Sequence, residues 1–526
     1  MLGISVLGCQ ANKNLADIDF NQGTAELTES YLGSGSSEPI LPARHSKVVV
    51  ESVSPDQVVD YQSIQYNQIS LAECLSRALQ TSEVFRDLGG LLVSSPGAAT
   101  TSFDPANAYT DPRFGEEAAL SEFDAQSNFS ALFERNDRSF NNNFTGDGGF
   151  LEQNLFNMTG RLSKVAATGT EFFAQNSLIY DNNNQTGFRF PTTGDSDEGR
   201  SWEAIWEAGF RHPLLQGSGS LFNRIAGPNQ TAGNYNGILI ARTNTEISLN
   251  DFEIAVRELV SDIENAYWDL YFSYRELDAQ TDARDAAFLV LEQAKAQRES
   301  ERISELVKAS AYEQYLRFES AIIDSLEGRP TEGTQSSSGS SGGVFRRNVG
   351  VRVAERRLRY LIGMPITDGV LLKPSDVPAG TPIVFDWDEA VSDAISHRPE
   401  TRRQRWVLKQ RELELVAASN FLLPRADIVG NYRIRGLGED LFRGTSQNPD
   451  PSEAQFEGTS AFSDLGALRN HEFQFGVEIE RPIGFRRGNA AVRNAKLSVR
   501  REAAILDEQE RRIVLDLSNA IAEGRR

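Results

Sequence analysis

Histidine side chains are the first candidates for catalysis or metal binding in this chain. The four of them, His45, His212, His397 and His471, are scattered, and no two stand at the short spacing that metal-binding sites use. His212 precedes a proline and is interpreted as a strand-end residue rather than a base. The turn at Gly217–Gly219 lacks the Lys and Ser/Thr of a phosphate-binding loop. The sequence therefore predicts neither an enzyme, a metal site nor a cofactor.

Two cysteines, Cys9 and Cys74, differ in their surroundings. Cys74 lies on the apolar face of a predicted helix, so we interpret it as a small packed hydrophobic side chain. Cys9 follows Val6-Leu7-Gly8, the apolar-apolar-small order that precedes the lipidated cysteine of bacterial lipoproteins. Residues 1–8 are short for a signal peptide and lack a positively charged start. We predict lipidation of Cys9 behind this partial signal, with a chance match as the alternative.

Composition limits the partners that this chain is expected to have. A net charge of -21 argues against nucleic acid, because phosphate binding needs a basic surface. No apolar run approaches the roughly 20 residues that a membrane-spanning helix needs. A helical membrane protein is thereby excluded, while a β-barrel stays open because its strands alternate and leave a weak hydropathy signal.

One long amphipathic stretch, from about Ile247 to Leu277, dominates the pattern of the chain. Its apolar or small residues recur in alternating steps of four and three, the repeat of a coiled-coil seam: Phe252, Val256, Leu259, Ile263, Ala266, Leu270, Ser273 and Leu277. A second stripe widens this face and indicates more than one neighbour: Val260, Tyr267, Tyr271 and Tyr274. A helix from Ile238 to about Glu305 would be roughly 100 Å long. A second segment, Tyr312 to Leu326, is expected to return antiparallel to it.

Alternating segments between Asn- and Gly-rich turns predict β-strands. They cover residues 128–135, 154–164, 170–180 and 201–211, and then 426–435 and 472–480. Alternation of aromatic or aliphatic with polar residues suits barrel strands that face lipid on one side. A soluble sheet would look the same locally and remains the alternative.

The order of these segments predicts a repeat. After the partial signal and an extended arm at 9–66, a first copy at 67–363 has a short helix, strands at about 127–212 and a helical hairpin at about 238–363. That hairpin carries a Gly/Ser-rich insert at 328–343. A linker at 364–384 leads to a second copy at 385–526, with a helix, strands at about 425–481 and a shorter long helix. We expect the second copy to be incomplete.

The motifs at the junctions of these segments resemble those of TolC-like outer membrane efflux proteins over roughly residues 67–526. Two short helices, Ile69–Leu79 and Phe385–Glu400, are similar to the family's equatorial helices. The junction Arg211–Gly219 is similar to the family's strand-end motif, and the junction Arg481–Gly484 is similar to its second one. Arg357–Pro365 is similar to the family's inter-repeat motif. The first copy has four candidate strands where the family usually has two.

The resemblance implies a function and a set of partners. It implies an α+β membrane protein, a homotrimer that forms a β-barrel in the bacterial outer membrane and continues as a long α-helical coiled-coil tunnel in the periplasm. Such a protein is a passive exit duct of a tripartite efflux or type I secretion system. Its partners are a periplasmic adaptor protein, an inner-membrane transporter and outer membrane lipid.

By the same resemblance, the hairpin tip meets the adaptor, and here the tip is Leu306, Val307, Lys308, Ala309 and Ser310. Lys308 stands where the family often has a glycine, so a plain helix reversal is the alternative for these residues. For the whole chain, the alternative is an envelope-spanning coiled-coil lipoprotein with a structural or adaptor role and no pore.

Overall fold

The computed structural model describes residues 65–86, 95–142, 145–184, 199–228, 230–300, 304–328, 350–378, 380, 384–442 and 460–524. Strands and α-helices follow one another along these residues, so the protein is a mixed helix-and-sheet structure, as the sequence predicts. In chain order they are β1 (Tyr66–Ile69), α1 (Leu71–Thr81), α2 (Asp104–Thr110), α3 (Glu116–Ser121), β2 (Gln126–Ser139), β3 (Phe150–Val165), β4 (Glu171–Asn183), β5 (Gly199–Pro213), α4 (Ser220–Ala226), α5 (Ile238–Glu299), α6 (Glu305–Glu327), α7 (Gly350–Ile362), β6 (Leu371–Pro374), α8 (Trp387–His397), α9 (Pro399–Asn420), β7 (Arg425–Gly438), α10 (Ala461–Gly466), β8 (Asn470–Glu480) and α11 (Arg486–Gly524).

The chain divides into two compact units, each assembled from separate stretches of sequence. The helical unit contains β1, the part of α5 from Asp269 onwards, α6, α7 and β6. The sheet unit contains α1 to α4, β2 to β5, α5 up to Trp268, and α8 to α11 with β7 and β8.

In the helical unit, α5 and α6 run antiparallel. Ala294 of α5 shares a buried cluster with Ala311 of α6, and the rings of Phe288 and Tyr315 lie 5.8 Å apart. Residues later in α5 therefore meet residues earlier in α6, which is the geometry of a helical hairpin.

A short parallel pair of strands, β1 and β6, completes this unit. Its register runs from Tyr66 opposite Leu371 to Ile69 opposite Pro374. The hydroxyl of Tyr274 on α5 donates to the carbonyl of Leu372 at 3.0 Å, so the pair is tied to the long helix.

Arg359, near the end of α7, is fully buried and organises the segment that follows. Its guanidinium donates to Asp368 Oδ1 at 2.7 Å and to the carbonyls of Pro365 (3.1 Å) and Val370 (2.6 Å), and its Nε donates to Glu355. Burial raises the pKa of the Glu355 carboxyl, and the guanidinium offsets part of that rise. A buried guanidinium is tolerated because its donors are satisfied in this way.

The six other strands form one antiparallel sheet in the sheet unit, in the order β2-β3-β4-β5-β7-β8. β2 pairs with β3 from Gln126 opposite Ser163 to Ser139 opposite Phe150. The turn between β3 and β4 requires Gly169, whose φ is +88°, because a side chain there would meet the carbonyl oxygen of Gly217. β7 pairs directly with β5, so the two distant groups of strands make a single sheet.

A polar seam joins the first half of α5 to α9 in the same unit. Arg257 Nη1 donates to Glu400 at 2.8 Å, Arg403 pairs with Asp251, and Gln410 donates to Asn244 at 2.6 Å. The hydrogen bond from Arg257 lowers the pKa of Glu400. Residues later in α9 contact residues earlier in α5, so these two helices are also antiparallel.

The structure and the sequence agree on most elements and differ on several short ones. All six segments predicted to be strands are strands, each longer than predicted. The second helix of the hairpin begins at Glu305 rather than at Tyr312, and β1, β6, α2, α4 and α10 were not predicted. Of the predicted coiled-coil seam, Leu259, Ile263, Ala266, Leu270 and Ser273 are buried, as are Tyr267 and Tyr274 of the second stripe. Most of the N-terminal arm and of the Gly/Ser insert lies outside the described residues.

No helix among the described residues combines the length and the apolarity needed to cross a membrane.

We predict that replacing Arg359 by Met lowers the free energy of unfolding by about 3–5 kcal/mol, because Glu355 then stays buried without its cation. Arg357→Met, at a half-buried position of the same helix, is the control and should lose less than about 1 kcal/mol. Denaturant unfolding of the purified protein, followed by circular dichroism, measures both. Equal losses in the two variants would contradict a special role of Arg359.

Candidate functional site

The six-stranded sheet has two chemically different faces. Residues directly opposite each other in an antiparallel pair lie on the same face, and successive residues alternate between faces. The registers bring Glu207, Arg433 and Glu472 together on one face, which we call the polar face. They bring Tyr432 and Phe473 together on the other, which we call the apolar face.

A ladder of ion pairs runs across the polar face. Arg433 lies 3.1 Å from Glu207 of β5 and 3.3 Å from Glu472 of β8. Arg435, two residues further along β7, lies 2.8 Å from Glu203 and 3.1 Å from the same Glu472. Each guanidinium thus bridges the strands on both sides of its own, and the ladder holds β5, β7 and β8 in register.

A second ionic group lies at the end of the sheet where β5 and β7 meet the helices. The buried carboxylate of Asp427 accepts from Arg211 at 2.8 Å and from Arg425 at 2.9 Å. Arg211 also lies 2.8 Å from Glu478 of β8. Arginines therefore alternate with carboxylates along this face, which is polar with largely paired charges.

The apolar face exposes large side chains to an unusual extent. Phe473 is 82% exposed and Phe133 is 67% exposed. Exposed side chains on this face come from all six strands: Phe129 and Phe133 on β2, Phe150 and Leu162 on β3, Phe172 on β4, Trp206 on β5, Tyr432 on β7, and Phe473, Phe475, Val477 and Ile479 on β8. Exposed apolar patches of this kind mark contact with another protein or with a membrane.

Helix α10 covers part of the apolar face. Ala461 and Leu465 share a buried cluster with Leu178 of β4 and Ala204 of β5. Asp464 fixes the helix in place by accepting from the backbone N–H of Leu437 at 3.0 Å. The uncovered apolar side chains are therefore concentrated towards β2 and β8.

The two outer strands of the sheet each have one partner. Within the described residues, β2 pairs only with β3 and β8 pairs only with β7. Their outer edges present backbone N–H and C=O groups along strands of 14 and 11 residues. Such edges are templates for pairing with another chain.

A tight junction connects the strands to the helices at Gly217. Its N–H donates to the Asn420 side chain at the end of α9 (2.8 Å), and its carbonyl accepts from the Asn223 side chain on α4 (2.8 Å). The rings of Phe222 and Phe421 lie 5.3 Å apart beside it. The segment that resembles a family motif thus turns the chain from β5 into the helices.

The five predicted tip residues lie together in the first turns of α6. Leu306 is 79% exposed and Val307 is 51% exposed, while Lys308 is partly covered. α5 ends at Glu299, so the break between the helices lies earlier than the residues predicted for it. Ala309 and Ser310 are exposed helical residues rather than loop residues.

Glu305 links the two helices beside this tip. It accepts from Arg298 of α5 at 3.0 Å and from Lys308 at 3.2 Å, and these two hydrogen bonds lower its pKa. Lys308, which departs from the family pattern, therefore has a local partner.

The histidines considered in the sequence analysis lie on different elements of the structure. His212 bonds to Thr170 Oγ1 at 2.7 Å, His397 lies 2.8 Å from Asp393 on the same helix, and His471 is on β8. Among the described residues, no group of three or more His, Cys, Asp or Glu side chains is placed to hold a metal ion. His45 and Cys9 lie outside the described residues.

Comparison with known proteins adds the following. No protein-family model and no curated protein matches this chain. Among solved structures, it is similar to the outer membrane protein VceC from Vibrio cholerae (10% identity, TM-score 0.47, covering 86% of this chain and 79% of that one). It is also similar to CusC, described in terms of folding and transmembrane channel formation (12% identity, TM-score 0.47, 93% and 82% covered), and to the outer-membrane channel OprN (11% identity, TM-score 0.48, 93% and 82% covered). These are proteins of the kind that the motifs resemble.

Cys74 is completely buried in α1, and burial raises its pKa to about 12. The thiolate is the reactive form, and a rise of this size from 9.0 lowers its fraction about a thousandfold near neutral pH. We therefore expect iodoacetamide to leave Cys74 unmodified in the folded protein and to alkylate it readily in guanidinium chloride, as mass spectrometry of its peptide would show. Rapid alkylation of the folded protein would contradict the packed position.

Proposed function

We propose that this chain is one subunit of a trimeric exit duct in a bacterial outer membrane. Its strands would join those of two other copies in a closed β-barrel, and its long helices would continue as a coiled-coil tunnel in the periplasm. The observation that carries this proposal is the sheet with an ion-paired polar face, an exposed apolar face and two open edges. Lipid offers no hydrogen bonds, so strands in a membrane must be paired on both edges.

The dimensions of the strands support this proposal. The shortest of the six, β8, has 11 residues and the longest, β3, has 16. A tilted strand needs about 9–11 residues to cross the hydrocarbon layer. The exposed aromatic and aliphatic side chains of the apolar face would then contact lipid, and the Arg/Glu ladder would line a water-filled lumen.

Transport through such a duct is passive. The substrate would move down its gradient or be driven by an inner-membrane transporter, in an efflux or a type I secretion system with a periplasmic adaptor protein. The charges of the sheet's polar face are largely paired, while the chain as a whole carries -21. A moderate preference for cations follows from that balance.

The adaptor is assigned to the tip of the helical hairpin. Leu306 and Val307 are adjacent, apolar and more than half exposed, beside the charged Glu305 and Lys308. An exposed apolar pair with a polar surround is a typical protein-binding surface.

Two further assignments complete the proposal. The order of short helix, strands and long helix, seen at α1 to α5 and again at α8 to α11, supports the two-fold internal repeat. Lipidation at Cys9 would add an anchor in the same membrane. A pore-free coiled-coil tether is less well supported, because a tether has no use for an extensive exposed apolar sheet face.

The first prediction from this proposal concerns conductance. The purified protein, reconstituted into a planar bilayer, should give stable current steps that prefer cations, because the ladder-lined lumen is open to water. A folded trimer that stays silent even after deletion of residues 304–310 would contradict the duct and favour the tether.

The second prediction concerns the tip. The pair Leu306→Ser with Val307→Ser removes the apolar contact and should raise ethidium accumulation in cells to the level of a strain without this protein, since loss of a binding hot spot weakens a complex by about 2 kcal/mol or more. Ile323→Ser, at a 54% exposed position of the same helix away from the tip, is the matched control and should leave accumulation unchanged. Equal effects of the two changes would contradict the assignment of the hairpin tip as the adaptor-binding surface.

A further inference from the structure

We propose that all six strands of this chain belong to the wall of the barrel, so that three copies close a barrel of 18 strands through β2 of one copy and β8 of the next. This inference rests on the proposed trimeric duct and specifies its width, and with it the size class of the solutes. The other arrangement would keep β2 and β3 outside the wall as a separate hairpin.

Edge occupancy decides between these two arrangements. β4 pairs with β3 from Gln153 opposite Asn183 to Val165 opposite Glu171, and with β5 along its other edge over the same residues. A strand has only two edges, so β4 cannot also pair with a neighbouring copy. The edges that remain for closure are those of β2 and β8.

Strand direction is compatible with this closure. Neighbours in the sheet are antiparallel throughout, so β2 and β8, the first and sixth strands, run in opposite directions. β8 of one copy would therefore meet β2 of the next in an antiparallel pair. An even number of strands in each subunit keeps the whole wall antiparallel, as in bacterial outer-membrane barrels.

The stagger of the sheet matches the tilt that a barrel needs. Starting at the first residue of β2, successive partners across the sheet are Gln126, Ser163, Phe173, Gly209, Asn431 and Gln474. Gln474 lies six residues before Glu480, the last residue of β8, so the ends of the strands are displaced by six residues across the sheet. Six residues over five strand steps correspond to a tilt of about 40° for strands about 4.8 Å apart. Transmembrane barrels have tilts of about 35–45°.

The same stagger predicts the register between copies. If the displacement continues by one more strand, Gln474 lies opposite a residue of β2 about seven positions after Gln126 in the next copy. Only even-numbered residues of β2 lie on the polar face, so this residue is Leu132 or Glu134. Phe475 then falls beside Ala131 or Phe133, so the apolar face continues without interruption. The most exposed aromatic side chains of the sheet would thus be brought together at the seam.

The width of the barrel limits the size of the solutes that can pass through it. A barrel of 18 strands at this tilt has a backbone diameter of about 36 Å, and its side chains leave an aqueous lumen of roughly 20–25 Å. A wall with four strands from each subunit would be about 24 Å across and narrower still inside. The wall of this duct therefore fits bulky polar solutes, including small folded polypeptides, as well as small molecules.

Disulfide cross-linking between copies tests whether β8 of one copy pairs with β2 or with β4 of the next. Gln474→Cys on β8 is combined in turn with cysteine at each polar-face position of β2, from Gln126 to Arg138. The matched control combines Gln474→Cys with Gln175→Cys, Ser177→Cys or Ile179→Cys on the polar face of β4. Oxidation is followed by denaturing gels, and each variant is also recorded in a planar bilayer. The unaltered chain controls for its own two cysteines.

The expected result is a ladder of linked chains with Leu132→Cys or Glu134→Cys and none with the β4 positions. Linking through β4, or no linking at any β2 position in a protein that conducts, would overturn the wider wall and leave the duct in place. Linking through β2 in a protein that never conducts would support the wall while contradicting the proposed duct.

Discussion

A strand edge must find hydrogen-bond partners, and this constraint explains more of the molecule than any single side chain does. In the sheet formed by the described residues, four strands have both edges occupied and two have one edge occupied. The same two strands carry the most exposed aromatic residues, so backbone and side chains are unsatisfied at the same places. An isolated subunit would therefore be prone to aggregation, and the proposed closure with other copies would satisfy both demands together.

Charged side chains do different work in the two units. In the sheet, arginines such as Arg433 and Arg435 hold the register of neighbouring strands while staying in reach of water. Between α5 and α9, ion pairs such as Arg257–Glu400 fix the alignment of two helices. Arg359 instead lies in a dry interior and ties a helix end to the backbone of the next segment. The first two groups specify alignment, and the third anchors the segment after α7 by donating to its backbone carbonyls.

The sequence predicted what has a local pattern. Alternation between Asn- and Gly-rich turns located the six strands, and the coiled-coil seam located the buried stripe that includes Ile263 and Leu270. β1 and β6 have four residues each, and β1 finds its partner about 300 positions away, so nothing local marks either. Arg359 lies inside a motif that the sequence identified, yet a charged helical residue is usually a solvated one. The two faces of the sheet follow from alternation, whereas the ion-pair ladder and the order of the strands depend on pairing between distant segments.

The pairing of β5 with β7 has a consequence for how the protein is made. Trp202 of β5 lies opposite Gly438 of β7, and β8 follows later still, so the sheet cannot be completed until most of the chain has been synthesised. Such non-local contacts form slowly, and the edge of β5 that pairs with β7 stays open until β7 has been made. The first four strands, with their exposed phenylalanines, would need to be held by a chaperone during that interval. The order of the strands thus makes biogenesis, as much as the finished fold, depend on protection of the nascent chain.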